Sequence, residues 1–235
     1  MTDRTIAILG VGPGLGMSIA RRFGREGFAV ALVSRSDVRH AAYRAQLADA
    51  RTYVADVTNR DALDRVLKEI GEVDTVYYGP ASMDLTMVPL AEAGPTDVTA
   101  LIKSTLEPAV NMAAAVLPRM LERGSGTLFF AGGLSGKYPM PMLGTLAPAS
   151  AALRMYVMTL AASIRDRGVY AATLTIGGLI ERGDIHQHAG HLAPEVGTLD
   201  PDAIAETTWQ LYGTRDRPEA EFLAPGIEAM IGSSR

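Results

Sequence analysis

Short runs of nearly continuous apolar residues alternate along the chain with longer stretches in which apolar positions recur every three or four residues. Thr5–Leu9, Phe28–Val33, Arg51–Ala55, Asp74–Tyr78, Thr127–Ala131 and Val169–Ile176 read as six strands. Apolar runs without strict alternation fit strands buried on both faces of a parallel sheet. Between them the spacing predicts a helix through Met17–Phe23 stopped at Gly27, and a polar helix over 38–50. A third runs from Asp61 to Gly71, with Leu63, Val66, Leu67 and Ile70 on one face and Thr58 or Asn59 as cap. Longer apolar helices are expected over Pro95–Glu122 and about Ala147–Arg167, and a shorter one over Asp202–Tyr212, with Asp200 as cap and Pro201 in its first turn. Residues 179–199 read as an irregular covering segment, and Glu221–Ala224 adds a last strand. Strand and helix in regular alternation with short connections predict an α/β fold, doubly wound, with a mostly parallel seven-stranded sheet and helices on both faces.

The length of 235 residues suits one such domain spanning 1–235, and no repeat, linker or low-complexity tract divides it. A formal charge of −4 leaves no basic stripe, which argues against nucleic acid as a partner. With no cysteine there is neither disulfide nor thiolate metal site. Met1-Thr2-Asp3-Arg4 runs straight into the first strand without a secretory pattern, and no apolar stretch reaches spanning length. A soluble, cytoplasmic protein with no membrane partner is the expectation.

The candidate chemistry begins at Gly10-Val11-Gly12-Pro13-Gly14-Leu15-Gly16, set between the first strand and the first helix. Met17 stands where GxGxxG would need its last glycine, so the better description is GxxxGxG through Gly10, Gly14 and Gly16. Such a turn puts unpaired N–H groups, Leu15 among them, at a helix N-terminus where a pyrophosphate can sit, as in a Rossmann-like domain. A plain tight turn is the alternative. The second strand ends at Ser34-Arg35-Ser36. An acidic residue there would bind ribose hydroxyls, whereas an arginine accommodates a 2′-phosphate, so NADP(H) is favoured over NAD(H). The competing reading makes Arg35 an ordinary solvated charge.

Taken together, Gly10-x-x-x-Gly14-x-Gly16, Asp56-Val57-Thr58, Ala115-Val116-Leu117-Pro118 and Gly124-Ser125-Gly126, in this order over roughly residues 5–225, resemble the short-chain dehydrogenase/reductase family. The resemblance implies that Asp56 and Val57 hold the adenine and that Gly79 lies against the cofactor. Where the family has Asn-Asn-Ala-Gly, this chain has Tyr78-Gly79-Pro80-Ala81. The family's chemistry uses an Asn-Ser-Tyr-Lys tetrad, in which the lysine lowers the tyrosine's pKa and the serine orients the carbonyl. Counting from Pro118 puts the serine at Gly133 and the asparagine at Thr105, while counting from Ala151-Ala152-Leu153 puts tyrosine at Leu146 and lysine at Ser150. Gly133 and Leu146 are thirteen apart, the family's own spacing, so the two counts agree. All four positions are substituted, which makes this an atypical member, and loss of a positioned acid/base typically removes roughly 10²–10⁴-fold of rate.

Replacement candidates are Ser135 and Tyr138, with Lys137 adjacent, in the loop 132–144. On an extended chain Lys137 and Tyr138 would point apart. Tyr77 and Tyr78 end a strand where alternation aims one of them at the cleft, though packing competes with catalysis. His186, with His188 and His191 after Asp184, suits a polar lid or one histidine acting on substrate better than a metal site, and no metal is expected. Met140 and Met142, with Met83 and Met87, could wall an apolar substrate or fill a core or subunit contact. The apolar faces of helices 95–122 and 147–167 suggest a homodimer or homotetramer. Two functions remain open: an NADP(H)-binding oxidoreductase on an apolar carbonyl or alcohol with non-standard proton transfer, or a non-redox scaffold, either a binding protein or an isomerase, lyase or cyclase.

Overall fold

The computed structural model describes residues 4–47, 49–81 and 86–232. Strands β1 (Thr5–Leu9), β2 (Ala29–Ser34), β3 (Arg51–Val54), β4 (Thr75–Tyr78), β5 (Gly126–Gly133), β6 (Val169–Gly177) and, late in the chain, β9 (Glu219–Leu223) form one sheet. Their order is β3-β2-β1-β4-β5-β6-β9, and every pairing is parallel. Helices α1 (Leu15–Arg25), α2 (His40–Gln46), α3 (Arg60–Ile70), α4 (Pro95–Arg123) and α5 (Leu146–Ile164) connect these strands, and α8 (Pro201–Thr214) leads to β9.

Burial on both faces explains the apolar strand sequences. Ile6 and Ile8 face a core shared with Ile19 and Phe23 of α1 and Ile204 and Leu211 of α8. Ala7 and Leu9 face the opposite core with Leu63 of α3, Met112 of α4 and Val157 of α5. Local signals set several boundaries: Asn59 caps α3 by accepting from the Ala62 amide at 3.0 Å, and Asp200 caps α8.

Four sequence expectations need correction. Residues 179–199 are not irregular: they contain β7 (Leu179–Ile180), α6 (Asp184–Ala189), α7 (Ala193–Val196) and β8 (Thr198–Leu199), with β7 and β8 paired in parallel. The polar helix covers only His40–Gln46, because Arg35–Arg39 form the turn leaving β2. The second long helix stops at Ile164 and tightens into a 3-10 turn at Arg165–Arg167. The last strand starts two residues earlier than expected and is followed by α9 (Pro225–Gly232). No helix among the described residues is long and apolar enough to cross a membrane.

Candidate functional site

The strand order reverses between β1 and β4, where the C-terminal ends of parallel strands leave a crevice. The ends of β3, β2, β1 and β4 bring Asp56, Ser34-Arg35, Gly10–Gly16 and Gly79 to one edge of the sheet. Gly10 has a φ of +84°, and a Cβ there would lie 2.6 Å from Pro80 Cα, so the turns leaving β1 and β4 touch backbone to backbone. A Cβ on Gly14 would meet Glu181 O and the Gly183 backbone at 3.0 Å. The start of segment 179–199 therefore lies directly against the glycine turn.

The Gly10 and Val11 amides are spent on Val33 O, at 3.0 and 2.9 Å, and those of Met17 and Ser18 on Gly12 O and Gly14 O. Among the described residues this leaves the Leu15 and Gly16 amides at the opening of α1 without a helical acceptor. The first turn holds no acidic residue. Unsatisfied donors at a helix N-terminus without a competing carboxylate fit an anion such as a pyrophosphate.

At the end of β2, the Ser34 hydroxyl is committed to the turn: it donates to Ser36 O at 2.8 Å and lies 2.8 Å from His40 Nε2. Burial lowers the pKa of His40. Arg35 is exposed and has no ion pair among the described residues. Asp56 accepts from the Thr58 hydroxyl and amide at 2.6 and 2.9 Å, and the hydroxyl bond is the first cause of its lowered pKa. The Val57 side chain belongs to the core.

Two of the positions counted for the tetrad, Gly133 and Ser150, lie where the end of β5 meets α5. Leu146, Ser150 and Arg154 follow one another at four-residue spacing along α5 and so share a face. A Cβ on Gly133 would lie 3.2 Å from Ser150 Oγ and 3.6 Å from Ser135 Oγ, so Gly133, Ser135 and Ser150 lie together. Ser135 is only 6% exposed, and its hydroxyl is without a partner among the described residues. Thr105 is half-buried on α4. The cation on this face is Arg154, whose guanidinium donates to both oxygens of Glu219 at 2.7 and 2.6 Å.

Lys137 and Tyr138 do not point apart, because a 3-10 turn at Leu134–Gly136 replaces the extended chain. Lys137 Nζ lies 2.6 Å from Glu221, and the Tyr138 hydroxyl reaches the same carboxylate at 3.5 Å. Glu219 also accepts from Thr175 at 2.6 Å. Hydrogen bonding to Glu221 raises the Lys137 pKa, and Arg154 lowers that of Glu219. The loop after β5 is thus tied to the edge strand. Arg154, Glu219 and Glu221 did not stand out as site residues; the sequence signals were a lone arginine in an apolar helix and glutamates alternating within a strand.

Tyr77 and Tyr78 are each 3% exposed and enter opposite cores. Neither side chain is aimed into open cleft, and burial raises both phenol pKa values. His186 and His188 lie on α6, where His188 Nδ1 is 2.8 Å from Asp184 O. No group of three metal-ligating residues occurs among the described residues. Met140 packs beside Leu134 and Ile227, Met87 and Met142 are exposed, and Met83 lies outside the described residues. Val88 and Thr145 clasp the β4–α4 loop to the start of α5, the Thr145 amide donating to Val88 O at 2.9 Å and the Val88 amide to Thr145 Oγ1 at 3.2 Å.

Comparison with known proteins follows the same lines. The profile described as "short chain dehydrogenase" matches residues 4–183. The NADP-dependent 3-hydroxy acid dehydrogenase of Salmonella typhi is 25% identical over 217 residues, covering 87% of each chain. The serine 3-dehydrogenase of Agrobacterium fabrum is 24% identical over 226 residues, covering 92% of this chain and 89% of its own. Among solved structures, a Streptomyces avermitilis short-chain dehydrogenase superposes with a TM-score of 0.79 at 18% identity, over 100% of this chain and 93% of that one. A metagenomic short-chain oxidoreductase in complex with NADP gives 0.73 at 23%, over 94% and 96%.

Proposed function

The chain belongs to the short chain dehydrogenase family, and from that premise we propose that it is an NADP(H)-dependent oxidoreductase acting on an apolar carbonyl or alcohol, without the usual catalytic tetrad. The observation that carries this reading is the glycine turn at the strand-order reversal, whose α1 amides lack a helical acceptor among the described residues, together with Arg35, which has no ion pair among them, after the neighbouring strand β2. Leu15 and Gly16 would hold the pyrophosphate through their amides, Arg35 the 2′-phosphate, and Asp56 with the Val57 backbone the adenine. A bound nicotinamide supplies or takes up a hydride. Residues 179–199 cover the substrate, and Met87, Met140 and Met142 provide apolar contact.

Proton transfer is where this chain must differ from its relatives. Leu146 has no proton to give, and Ser150 no charge to lower a neighbour's pKa. Ser135, with an unpartnered hydroxyl at the Gly133 corner, and Tyr138, whose phenol neighbours Glu221, are the side chains of the loop that can offer a hydroxyl. The same substitutions favour a second reading, a non-redox protein that retains the dinucleotide site.

Titration with NADPH and NADH tests the cofactor: tighter NADPH supports Arg35, tighter NADH refutes its role, and no binding of either removes the reading. A carbonyl panel run with NADPH on the wild type and on Tyr138→Phe then tests the chemistry. A rate unchanged in the variant removes Tyr138 as acid, and no turnover despite cofactor binding selects the non-redox reading.

A homo-oligomer through α4 and α5 is part of the proposal. It is supported by half-exposed Ile102, Leu106 and Val110 and by exposed Met155. Sedimentation at micromolar concentration checks it, and a monomer would exclude it.

A further inference from the structure

The covering segment is fastened to the ribose end of the crevice by one pair of side chains. Arg39, at the N-terminus of α2 and four residues beyond Arg35, donates from both terminal nitrogens to the two oxygens of Asp184, at 2.8 and 2.7 Å. Asp184 opens α6, directly after the Glu181–Gly183 backbone that rests on Gly14. Just upstream, Arg182 is held by Asp202 at 2.8 Å, and Thr198 donates to Glu181 at 2.8 Å. Beyond that point, among the described residues, the Arg39 pair is the only ion pair joining 184–196 to the rest of the chain.

Two properties make this pair exchangeable. Both side chains are more than a third exposed, so water already competes for them and the pair is worth little. The guanidinium fork fits a phosphomonoester as well as it fits a carboxylate, and the phosphate brings the larger negative charge at neutral pH.

We infer that Asp184 is a specificity-determining residue for the dinucleotide: it occupies Arg39, and a cofactor 2′-phosphate takes its place, releasing α6 as it binds. The inference rests on the NADP(H) reading above. With a 2′-hydroxyl in place of the phosphate, NADH leaves the Arg39–Asp184 pair intact. Cofactor choice and freedom of the covering segment are therefore coupled through one guanidinium, although Asp184 is 145 residues away from it in sequence.

The test is calorimetric titration of NADPH and NADH against the full chain, as wild type, Asp184→Asn, Arg39→Gln and the double variant. It is joined to amide hydrogen exchange over 184–196 without ligand and with each dinucleotide. Asp184→Asn is expected to raise the preference for NADPH over NADH by about 2- to 5-fold, the range of a half-exposed pair. Arg39→Gln lowers the preference, and adding Asp184→Asn to Arg39→Gln changes nothing further. In the wild type, exchange over 184–196 is faster with NADPH than with NADH. An unchanged preference in Asp184→Asn overturns the inference. So does an equal gain in the Arg39→Gln background, which would mean simple repulsion between Asp184 and the phosphate, and so does equal exchange with both dinucleotides. If neither dinucleotide binds the wild type, the cofactor reading itself fails and takes this inference with it. If both bind and the preference ignores Asp184, the cofactor reading stands and only the role of Asp184 falls.

Discussion

Arg39–Asp184 at the start of α2 and Arg154–Glu219 at β9 are ion pairs of the same two-pronged geometry, with side chains 46% and 37% exposed in the first and 19% and 13% in the second. Burial gives them different work. Water can replace either partner of the first pair at small cost, so that pair can open. Removing one partner of the second leaves a charge in a place water reaches poorly, so that pair fixes position. It is reinforced by Thr175 on Glu219 and by Lys137, 3.8 Å from Glu219 and 2.6 Å from Glu221. One end of the crevice can therefore respond to a ligand, while the other holds the loop after β5 in register with the edge strand.

The largest effect that would test this contrast is in Arg154→Met. It strands Glu219 among partly buried groups and is expected to cost about 2 kcal/mol in urea denaturation, or about 4–8 °C in melting temperature. A loss no greater than that of Arg39→Gln would erase the distinction.

A smaller effect is expected from pH. Glu219 is held below its ordinary value of 4.5, first by Arg154, so its contribution is present above that pH and is lost as pH falls through the lowered folded value. Lys137 is raised above 10.5, first by Glu221, so its contribution is present below that pH and is lost as pH rises through the raised folded value. Urea midpoints measured from acid to alkaline pH should fall at both ends, with the acid fall shallower in Arg154→Met and unchanged in Arg39→Gln. Parallel profiles in wild type and Arg154→Met would deny the pair its part.

Next comes Tyr138→Phe, which loses a long hydrogen bond to Glu221 and should lower stability by about 0.5 kcal/mol or less. A larger loss would make Tyr138 part of the scaffold. Smallest is the stability change of Arg39→Gln, expected within about 0.5 kcal/mol of wild type in the same urea assay. A greater cost would show that the exposed pair is structural after all.

What could be read from the sequence followed the same division between local and distant causes. The strand β1, the Asn59 cap and the Asp200–Pro201 start of α8 are written in neighbouring residues, and the glycine turn presents backbone amides, a feature that its spacing alone announces. Residues 179–199 looked irregular because helices of six and four residues carry too little periodicity to register. The pairing of Leu179 with Thr198 depends on the chain folding back on itself. Likewise Lys137 and Tyr138 were expected to diverge until a 3-10 turn and a glutamate from β9 drew them together. In the sequence Asp184 stands out only as a neighbour of histidines, since its partner lies 145 residues upstream.

The contact of Gly10 with Pro80 bears on how the site comes into being. The turn at Gly10–Gly16 is set against a wall supplied by the turn leaving β4, and β4 is held there by pairing with β1 across the whole α1–β2–α2–β3–α3 excursion. A fragment ending at α3 would carry every glycine of the turn, with Arg35 and Arg39, and yet leave one edge of β1 open and Gly10 without its neighbour. The cradle therefore depends on the β1–β4 pairing as well as on its own glycines. It belongs to the domain as a whole, and cannot be transplanted as a motif.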